Sequence, residues 1–245
     1  MLHKTKAIVL RTVKYGETSI IATMYTELFG IQSFMVNGVR SSARSATGKA
    51  NLLQPAAILE LVMYHNEKKN LQRIREFRWS YLYKDLFYNV IKNSIGLFMV
   101  ELLQKTLKEP EVNPELFYFI EDAFLHLDES NETVMANYPL FFAIHLTSFY
   151  GFRFSDTWSP TRTILDLQEG EFVTETPQHP YFIEGAASFV TSQLLKVQVP
   201  SELNEIRLNK ESRRTLLQAY QIFYALHVAD FGVMKTLPVL QEVIG

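Results

Sequence analysis

The chain has 245 residues, a formal net charge of −2 at pH 7 and no cysteine, which excludes disulfides, thiolate zinc sites, iron–sulfur clusters and cysteine nucleophiles. At 47% hydrophobic residues it can bury a core, yet no apolar run approaches the ~20 residues of a membrane-spanning helix. The amino terminus lacks the long apolar stretch and cleavage site of a secretory signal, so we expect a cytoplasmic protein.

Charge is distributed unevenly along the chain. Residues 1–80 carry 12 Lys and Arg against 5 Asp and Glu, whereas the remaining residues carry 12 against 21. A basic first third followed by an acidic remainder predicts that the first third binds an anionic partner.

The first 80 residues have the pattern of a small β-domain. Short runs rich in β-branched and apolar residues are separated by turn signals such as Tyr15-Gly16-Glu17 and Asn37-Gly38. They predict strands over 4–13, 19–26, 31–39, 56–65 and 71–79. Residues 40–51 are basic without apolar periodicity and predict a loop. Five strands at this spacing favour a small closed or nearly closed barrel.

From residue 81 onwards the hydrophobic period changes to that of helices. Apolar residues from Phe87 to Leu102 recur every three or four positions, Asn113-Pro114 is typical of a helix start, and Tyr138-Pro139 predicts a further start for a helix reaching Gly151. Two more helices are predicted over 183–196 and 210–228, and a hairpin over about 155–180. We therefore predict two domains, a β-domain over 1–80 and an α-helical domain over 81–245 with this hairpin inserted.

The basic residues of the first domain are the strongest functional signal. On a small barrel they can line a groove that follows a phosphate backbone, and Tyr15, Phe34, Tyr64 and Trp79 could offer rings for base stacking, although Phe34 and Trp79 fit a core better. Any one cation could serve only to solvate the surface, but the set favours nucleic acid. The predicted DNA-binding residues are Lys4, Lys6, Arg11, Lys14, Arg40, Arg44, Lys49, Arg73, Arg75 and Arg78.

A second basic set interrupts the acidic part of the chain near Leu208 and Leu217. A basic rim beside an apolar groove suits a short peptide with an acidic, aromatic end, although the same residues could equally be solvated surface residues. This set consists of Arg207, Lys210, Arg213, Arg214 and Lys235.

Two other function classes stay open. Asp156, Asp166, Glu169 and Glu171 could hold a divalent cation in a metal-dependent nucleic-acid hydrolase, although turn residues are the simpler interpretation. Alternatively, the basic domain could bind an acidic protein as a non-catalytic interaction scaffold. No hydrolase or nucleotide-binding motif is present, so we do not expect an enzyme.

Four segments carry a resemblance to a known family. They are YGETSIIATMYTELFGIQSFMVNGVRSS over 15–42, LLQP over 52–55, FMVELL over 98–103 and HLTSFYGF over 145–152. They resemble the RecO family of bacterial DNA repair proteins, which are recombination mediators, and the segment LLQAYQIFYALHVADFGVMKTL over 216–237 is similar to that family's last helix.

The resemblance implies an OB-fold followed by an α-helical domain. It also implies binding of single- and double-stranded DNA, annealing of complementary strands, and contact with the acidic C-terminal tail of the single-stranded-DNA-binding protein SSB. The resemblance further implies that the protein works with RecR in loading RecA and associates with the nucleoid. It implies no catalysed covalent chemistry. Matched to the family, Arg11 and Arg40 would lie at the DNA surface, with Gly16, Gly30, Gly38 and Pro55 in turns. Many members have four cysteines in a zinc-binding insertion; this chain has none, so we expect no metal and no cofactor.

Overall fold

The computed structural model describes residues 1–39 and 51–244. The predicted loop cations Arg40, Arg44 and Lys49 lie outside the described residues. The chain divides into two compact units, one formed by Met1–Lys84 with Leu107–Leu125 and the other by Asp85–Thr106 with His126–Gly245.

The first unit contains five strands, which form where the β-branched and apolar runs predicted them. They are β1 Leu2–Tyr15, β2 Ser19–Thr26, β3 Gly30–Val36, β4 Ile58–Tyr64 and β5 Leu71–Trp79. The strands close into a barrel with the order β1-β2-β3-β5-β4, which confirms the predicted OB-fold. Neighbouring strands are antiparallel except for the parallel pair β3 and β5.

In β2 and β3, alternate residues fill the barrel. Ala22, Met24 and Phe34 are completely buried, whereas Thr23, between the first two, and Ser33, next to Phe34, are only half-buried. Because successive side chains of a strand point to opposite faces, this alternation defines an inner face and an outer face.

The segment Leu107–Leu125 packs with the barrel, a difference from the predicted division at residue 80. The Tyr25 hydroxyl donates to the Asn113 carbonyl over 3.2 Å. Lys6 forms a salt bridge with Glu121, and Tyr118 donates to Glu27. The predicted division follows the change of hydrophobic period at residue 81, and the helical pattern that begins at Asn113-Pro114 places this segment with the later helices.

The second unit is mostly helical, as predicted. Its helices bury apolar residues such as Phe98, Phe142 and Phe223, and Asn131 and Asn209 cap two of them at the amino terminus. The helices are α1 Val90–Thr106, α2 Pro114–Glu129, which begins in the first unit, α3 Glu132–Leu146, α4 Gly185–Lys196, α5 Lys210–His227 and α6 Thr236–Val243, with 3₁₀ turns at Thr147–Phe149 and Pro200–Glu205.

The predicted start of α3 at Tyr138-Pro139 is wrong. The Asn131 side chain accepts a hydrogen bond from Val134 N, so the helix begins at Glu132 and Pro139 lies inside it. The prediction used the preference of proline for the first helical turn, but a capping asparagine seven residues earlier provides the first favourable cap.

The predicted hairpin forms within 155–180. β6 Ile164–Asp166 pairs antiparallel with β7 Glu171–Val173, and β8 Phe182–Ile183 adds a third strand on the other side of β6. None of the helices in the described part of the chain combines the length and apolar character needed to cross a membrane.

Candidate nucleic-acid interface

Strand pairing places two arginines on the outer face of the barrel, on either side of β2 and β3. Arg11 pairs with Thr23, and Thr23 pairs with Ser33. In the adjacent row Met35 pairs with Arg73. Paired residues point to the same face, and three strand spacings of ~4.8 Å put β1 and β5 about 14 Å apart around the wall. Two cations therefore border the β2–β3 surface.

A bulge in each of two strands affects the basic residues. The register of β1 shifts between Val9 and Arg11, and in β5 Arg75 is the extra residue opposite the step from Val62 to Met63. Bulges twist a strand and redirect side chains. Arg11 therefore follows a local change of direction in β1, whereas Arg75 lies outside the regular pairing.

The predicted cations on the described strands fall into two groups. One group is exposed, and in the part of the chain that the structure describes no carboxylate lies within salt-bridge distance of its members. Such side chains can form ion pairs with phosphate groups without first losing a protein partner. This group is Lys4, Arg11, Lys14 and Arg73.

The other predicted cations are paired with carboxylates. Lys6 Nζ donates to both oxygens of Glu121, at 2.8 and 2.9 Å, and this hydrogen bond raises the pKa of Lys6. Arg78 contacts Glu60 at 2.6 Å, and the hydrogen bond lowers the pKa of the Glu60 carboxyl. Arg75 lies 3.1 Å from Glu76. A phosphate would have to compete with these carboxylates.

The four aromatic candidates for base stacking also fall into two groups, which differ in burial. Phe34 is completely buried in the barrel, which confirms its core interpretation, whereas Trp79 is only half-buried and is not part of the buried core. Tyr15 and Tyr64 are 52% and 50% exposed. Tyr64 pairs with Arg73, so an exposed ring is next to a cation that has no carboxylate in salt-bridge distance among residues 1–39 and 51–244. This pair is suited to a base and its phosphate.

A groove of about 730 Å³ lies over β2 and β3. Its floor includes Thr23, Ile31 and Ser33, one wall is the β4–β5 loop with Lys69, and another is the segment around Lys108. OB-folds bind oligonucleotides on the strand 2–3 face, next to the loops between strands 1 and 2 and strands 4 and 5. The groove lies on this face and beside the β4–β5 loop, and the β1–β2 loop does not line it.

Lys69 and Lys108 were missed by the sequence-based set. Lys69 lies between the predicted strands 56–65 and 71–79, and the OB-fold itself is the signal that could have selected it. Lys108 lies next to Glu109 and Glu111, and only the three-dimensional structure brings it to the groove.

A buried glutamine fixes the loop that carries Lys69. Gln72, 3% exposed, accepts from Asn66 N at 3.0 Å and donates to the carbonyls of Asn66 and Lys69 at 3.0 and 2.6 Å. Asn66 in turn accepts from Lys68 N. Both ends of the loop are thereby held, so the position of Lys69 is set before any ligand arrives.

The second basic set of the sequence analysis occupies three segments of the helical unit. Arg207 precedes α5, Lys210, Arg213 and Arg214 are in its first turns, and Lys235 precedes α6. Arg213 Nη1 donates to the Leu208 carbonyl over 2.6 Å, and burial lowers the pKa of Arg213. The other four are exposed.

The apolar surface expected beside that set is smaller than predicted. Leu217 is only 2% exposed because it faces the core of the unit, and Leu208 is half-buried. The expectation that Leu217 is available to a peptide is therefore wrong.

The carboxylates of the hydrolase alternative have local partners. Asp156 accepts from Ser192 Oγ at 2.7 Å and lies 3.4 Å from Lys196 Nζ. Asp166 accepts from the backbone of Gln168 and Glu169 and lies 3.3 Å from His179. Over residues 1–39 and 51–244 no three His, Asp or Glu side chains come together as metal ligands. The structure therefore does not favour this alternative.

Comparison with known proteins identifies the family. Models of two families, Recombination protein O N terminal and Recombination protein O C terminal, match residues 1–83 and 88–157. The DNA repair protein RecO of Christiangramia forsetii is 31% identical over 245 residues, which is the full length of both chains. The chain belongs to the RecO family.

Further relatives agree with this membership. The DNA repair protein RecO of Bacteroides fragilis is 32% identical over 99% of each chain, and that of Phocaeicola vulgatus is 30% identical over the full length of both. The resemblance seen in the four sequence segments is thus confirmed over the whole chain. Membership of the RecO family assigns the chain to DNA repair by recombination.

Proposed function

We propose that this protein is a recombination mediator that binds DNA on the β2–β3 side of its barrel. The observation that carries the proposal is the position of Arg11 and Arg73, which border this face and have no carboxylate in salt-bridge distance within the described residues. The groove between β2, β3 and the β4–β5 loop continues the same surface.

The charge of the first unit supports binding through phosphates. The two segments that form it contain 14 Lys and Arg against 10 Asp and Glu, so it is basic even with the acidic segment around α2. Phosphate contacts release condensed counterions and read no sequence, and their strength falls steeply as salt rises. A surface of this kind can hold two complementary strands weakly enough for them to pair, so we propose strand annealing as its activity.

The proposed DNA surface includes the other predicted cations. Lys4 and Lys14 are exposed, whereas Lys6, Arg75 and Arg78 would contribute only after exchanging their carboxylate partners. Arg40, Arg44 and Lys49, outside the described residues, belong to the proposal by their charge and by the proximity of their segment to β3 in the sequence.

Protein partners complete the proposed function. The resemblance favours contact with the SSB tail and with RecR, and assistance to RecA on SSB-coated strands. For the SSB tail, an acidic peptide, the exposed cations Arg207, Lys210, Arg214 and Lys235 offer charge complementarity. A second site of this type would raise the local concentration of the mediator at coated strands.

The proposal is tested by replacing both arginines. Arg11→Ala combined with Arg73→Ala should weaken binding to labelled oligonucleotides of several sequences alike, and should flatten the dependence of log affinity on log salt by about two contacts. Arg162→Ala is the matched control, because Arg162 is an exposed arginine of the second unit and belongs to neither predicted basic set. Equal affinity and equal salt slope for the double variant and the parent would overturn the proposal.

A further inference from the structure

We propose that Tyr83 is a positioning residue for Arg11, the cation that borders the β2–β3 face from β1. The inference rests on the proposed DNA binding and adds what sets the direction of one of its two arginines. Tyr83 is 3% exposed, so it would act on binding through Arg11 and not by touching DNA. Its hydroxyl reaches β1 through a strained turn at Ala56.

That turn joins the LLQP segment over 52–55 to β4. Ala57 N donates to the Gln54 carbonyl over 3.1 Å, Pro55 is the second residue of the turn, and Ala56, the third, has φ +71°. This is the pattern of a type II turn, whose third residue needs a positive φ and is usually glycine or asparagine. An alanine occupies the position here, and its Cβ makes the left-handed conformation unfavourable.

Two hydrogen bonds hold Ala56 in this conformation. Its N–H donates to the Val9 carbonyl over 2.8 Å, and its carbonyl accepts from the Tyr83 hydroxyl over 2.8 Å. Ala56 is only 2% exposed, so water does not compete for these bonds. A residue in an unfavourable region of φ and ψ persists only where its surroundings fix it. The Tyr83 hydroxyl supplies part of that restraint from a side chain.

The turn also holds β1 at the point where the strand changes direction. Val9 N donates to the Ala57 carbonyl over 2.9 Å, and Val9 is the last residue before the bulge in β1, at which Leu10 is the extra residue. Arg11 follows directly and resumes the pairing with Thr23 of β2. Because a bulge redirects the side chains next to it, the direction of Arg11 depends on how Val9 is held.

The surroundings of Arg11 make it dependent on the strand that carries it. Arg11 is exposed, and among residues 1–39 and 51–244 no carboxylate lies within salt-bridge distance of it. The restraint therefore passes from Tyr83 to Ala56, from Ala56 to Val9, and across the bulge to Arg11. A binding group that is held in place before its ligand arrives loses less conformational freedom on binding.

A double-mutant cycle separates positioning from a purely structural role, since a positioning residue loses its effect on binding when the residue it positions is removed. Binding of a labelled single-stranded oligonucleotide is measured by fluorescence anisotropy. Tyr83→Phe should weaken binding about threefold in the parent, as expected for one lost hydrogen bond, and less than about 1.5-fold in the Arg11→Ala background. In the Arg73→Ala background the loss should again be about threefold, because Arg73 is on β5.

A rescue variant tests the path through the turn. Glycine adopts the left-handed region without strain, so Tyr83→Phe combined with Ala56→Gly should bind within about 1.5-fold of the parent. This combination also keeps the test valid if Tyr83→Phe alone folds poorly. Tyr25→Phe is the matched control, because it too removes the hydroxyl of a buried tyrosine of the first unit, one that donates to the Asn113 carbonyl. It should show no coupling to Arg11.

The outcomes keep this inference distinct from the proposed function. Tyr83 is not a positioning residue for Arg11 if Tyr83→Phe binds like the parent, weakens binding equally with and without Arg11, or is not rescued by Ala56→Gly. If Arg11→Ala with Arg73→Ala still weakens binding and flattens the salt dependence in that case, DNA binding at this face stands. If that double variant also binds like the parent, both proposals fail.

Discussion

The buried Gln72 side chain donates to the Lys69 carbonyl over 2.6 Å and so joins the start of β5 to the loop before it. The same side chain holds both the N–H and the carbonyl of Asn66. One residue therefore determines the shape of the β4–β5 loop beside the groove.

Gln72→Leu should loosen this loop. The leucine fills similar space but removes the side-chain partner of Asn66 N and of the Lys69 carbonyl, while the Asn66 carbonyl keeps its bond from Lys69 N. We expect the free energy of unfolding to fall by about 1–3 kcal/mol. Single-strand binding should weaken because Lys69 loses its fixed position. Urea unfolding and anisotropy measure the two effects. Gln72→Glu keeps the acceptor for Asn66 N but turns a buried carboxylate oxygen towards the Asn66 and Lys69 carbonyls, so at pH 7 it should lose at least as much stability. A fully stable Gln72→Leu variant would contradict this role.

Gly30→Ala should destabilise the first unit through a contact with Glu111. Gly30 has φ +60°, and an added Cβ would lie 2.3 Å from the Glu111 carbonyl oxygen. Gly16 is a matched control, because it has φ +61° and a Cβ there would meet no atom of the described residues within 4 Å.

Thermal and urea unfolding of both variants separate conformational strain from the clash. Gly16→Ala should cost about 1–2 kcal/mol for the left-handed backbone alone, and Gly30→Ala clearly more than that. Equal losses would show that the segment carrying Glu111 moves away without a cost.

Lys6→Ala should reduce stability more than it reduces DNA binding. It leaves the Glu121 carboxylate, 9% exposed, without its bidentate partner, and we expect a loss of about 1–3 kcal/mol. Lys4→Ala, on the same strand and without such a partner among the described residues, should leave stability within ~0.5 kcal/mol. Chemical unfolding with parallel anisotropy checks both; a DNA defect at unchanged stability would contradict the structural role of Lys6.

The same ion pair predicts a response to alkaline pH. The hydrogen bond to Glu121 raises the pKa of Lys6 above the usual lysine value of 10.5. A raised pKa in the folded state contributes stability in full below 10.5, and this contribution is lost as the pH rises through the folded value. The stability difference between the parent and Lys6→Ala should therefore shrink above that pH.

Glu101 should make α6 sensitive to acid. Its carboxylate accepts from Lys235 N at 2.8 Å, from Thr236 N at 2.7 Å and from Thr236 Oγ1 at 2.6 Å. Burial opposes ionisation, but these hydrogen bonds prevail and lower the pKa of Glu101 below 4.5. The stabilisation is present above 4.5 and is lost as the pH falls through the lower folded value.

Glu101→Gln measures this contribution. At pH 7 the variant should unfold at a lower urea concentration than the parent, by about 1–2 kcal/mol, since charge-assisted hydrogen bonds are replaced by neutral ones. The difference should become smaller as the pH is lowered below 4.5. A difference that is constant from pH 7 to pH 3 would contradict a role for the charge.

Local patterns predicted the elements, whereas the binding surface depended on long-range pairing. β2 and β5 form over the predicted residues because alternation and turn signals act within a few positions. The separation of Arg73 from Arg78 into a free and a paired cation depends on Glu60, eighteen residues from Arg78 in the chain. Lys6 and Glu121 are 115 residues apart, and no charge count over 1–80 includes that carboxylate.

Because Leu107–Leu125 is part of the first unit, a fragment that ends with the matched N-terminal domain at residue 83 would be an incomplete one. It would expose the side of Tyr25, now 1% accessible, that Phe117 covers at 6.0 Å between ring centroids. Such a fragment is expected to self-associate through this uncovered apolar side. Expression of the barrel by itself therefore calls for α1 and the first part of α2 to be kept, or for a short linker that joins Lys84 to Leu107.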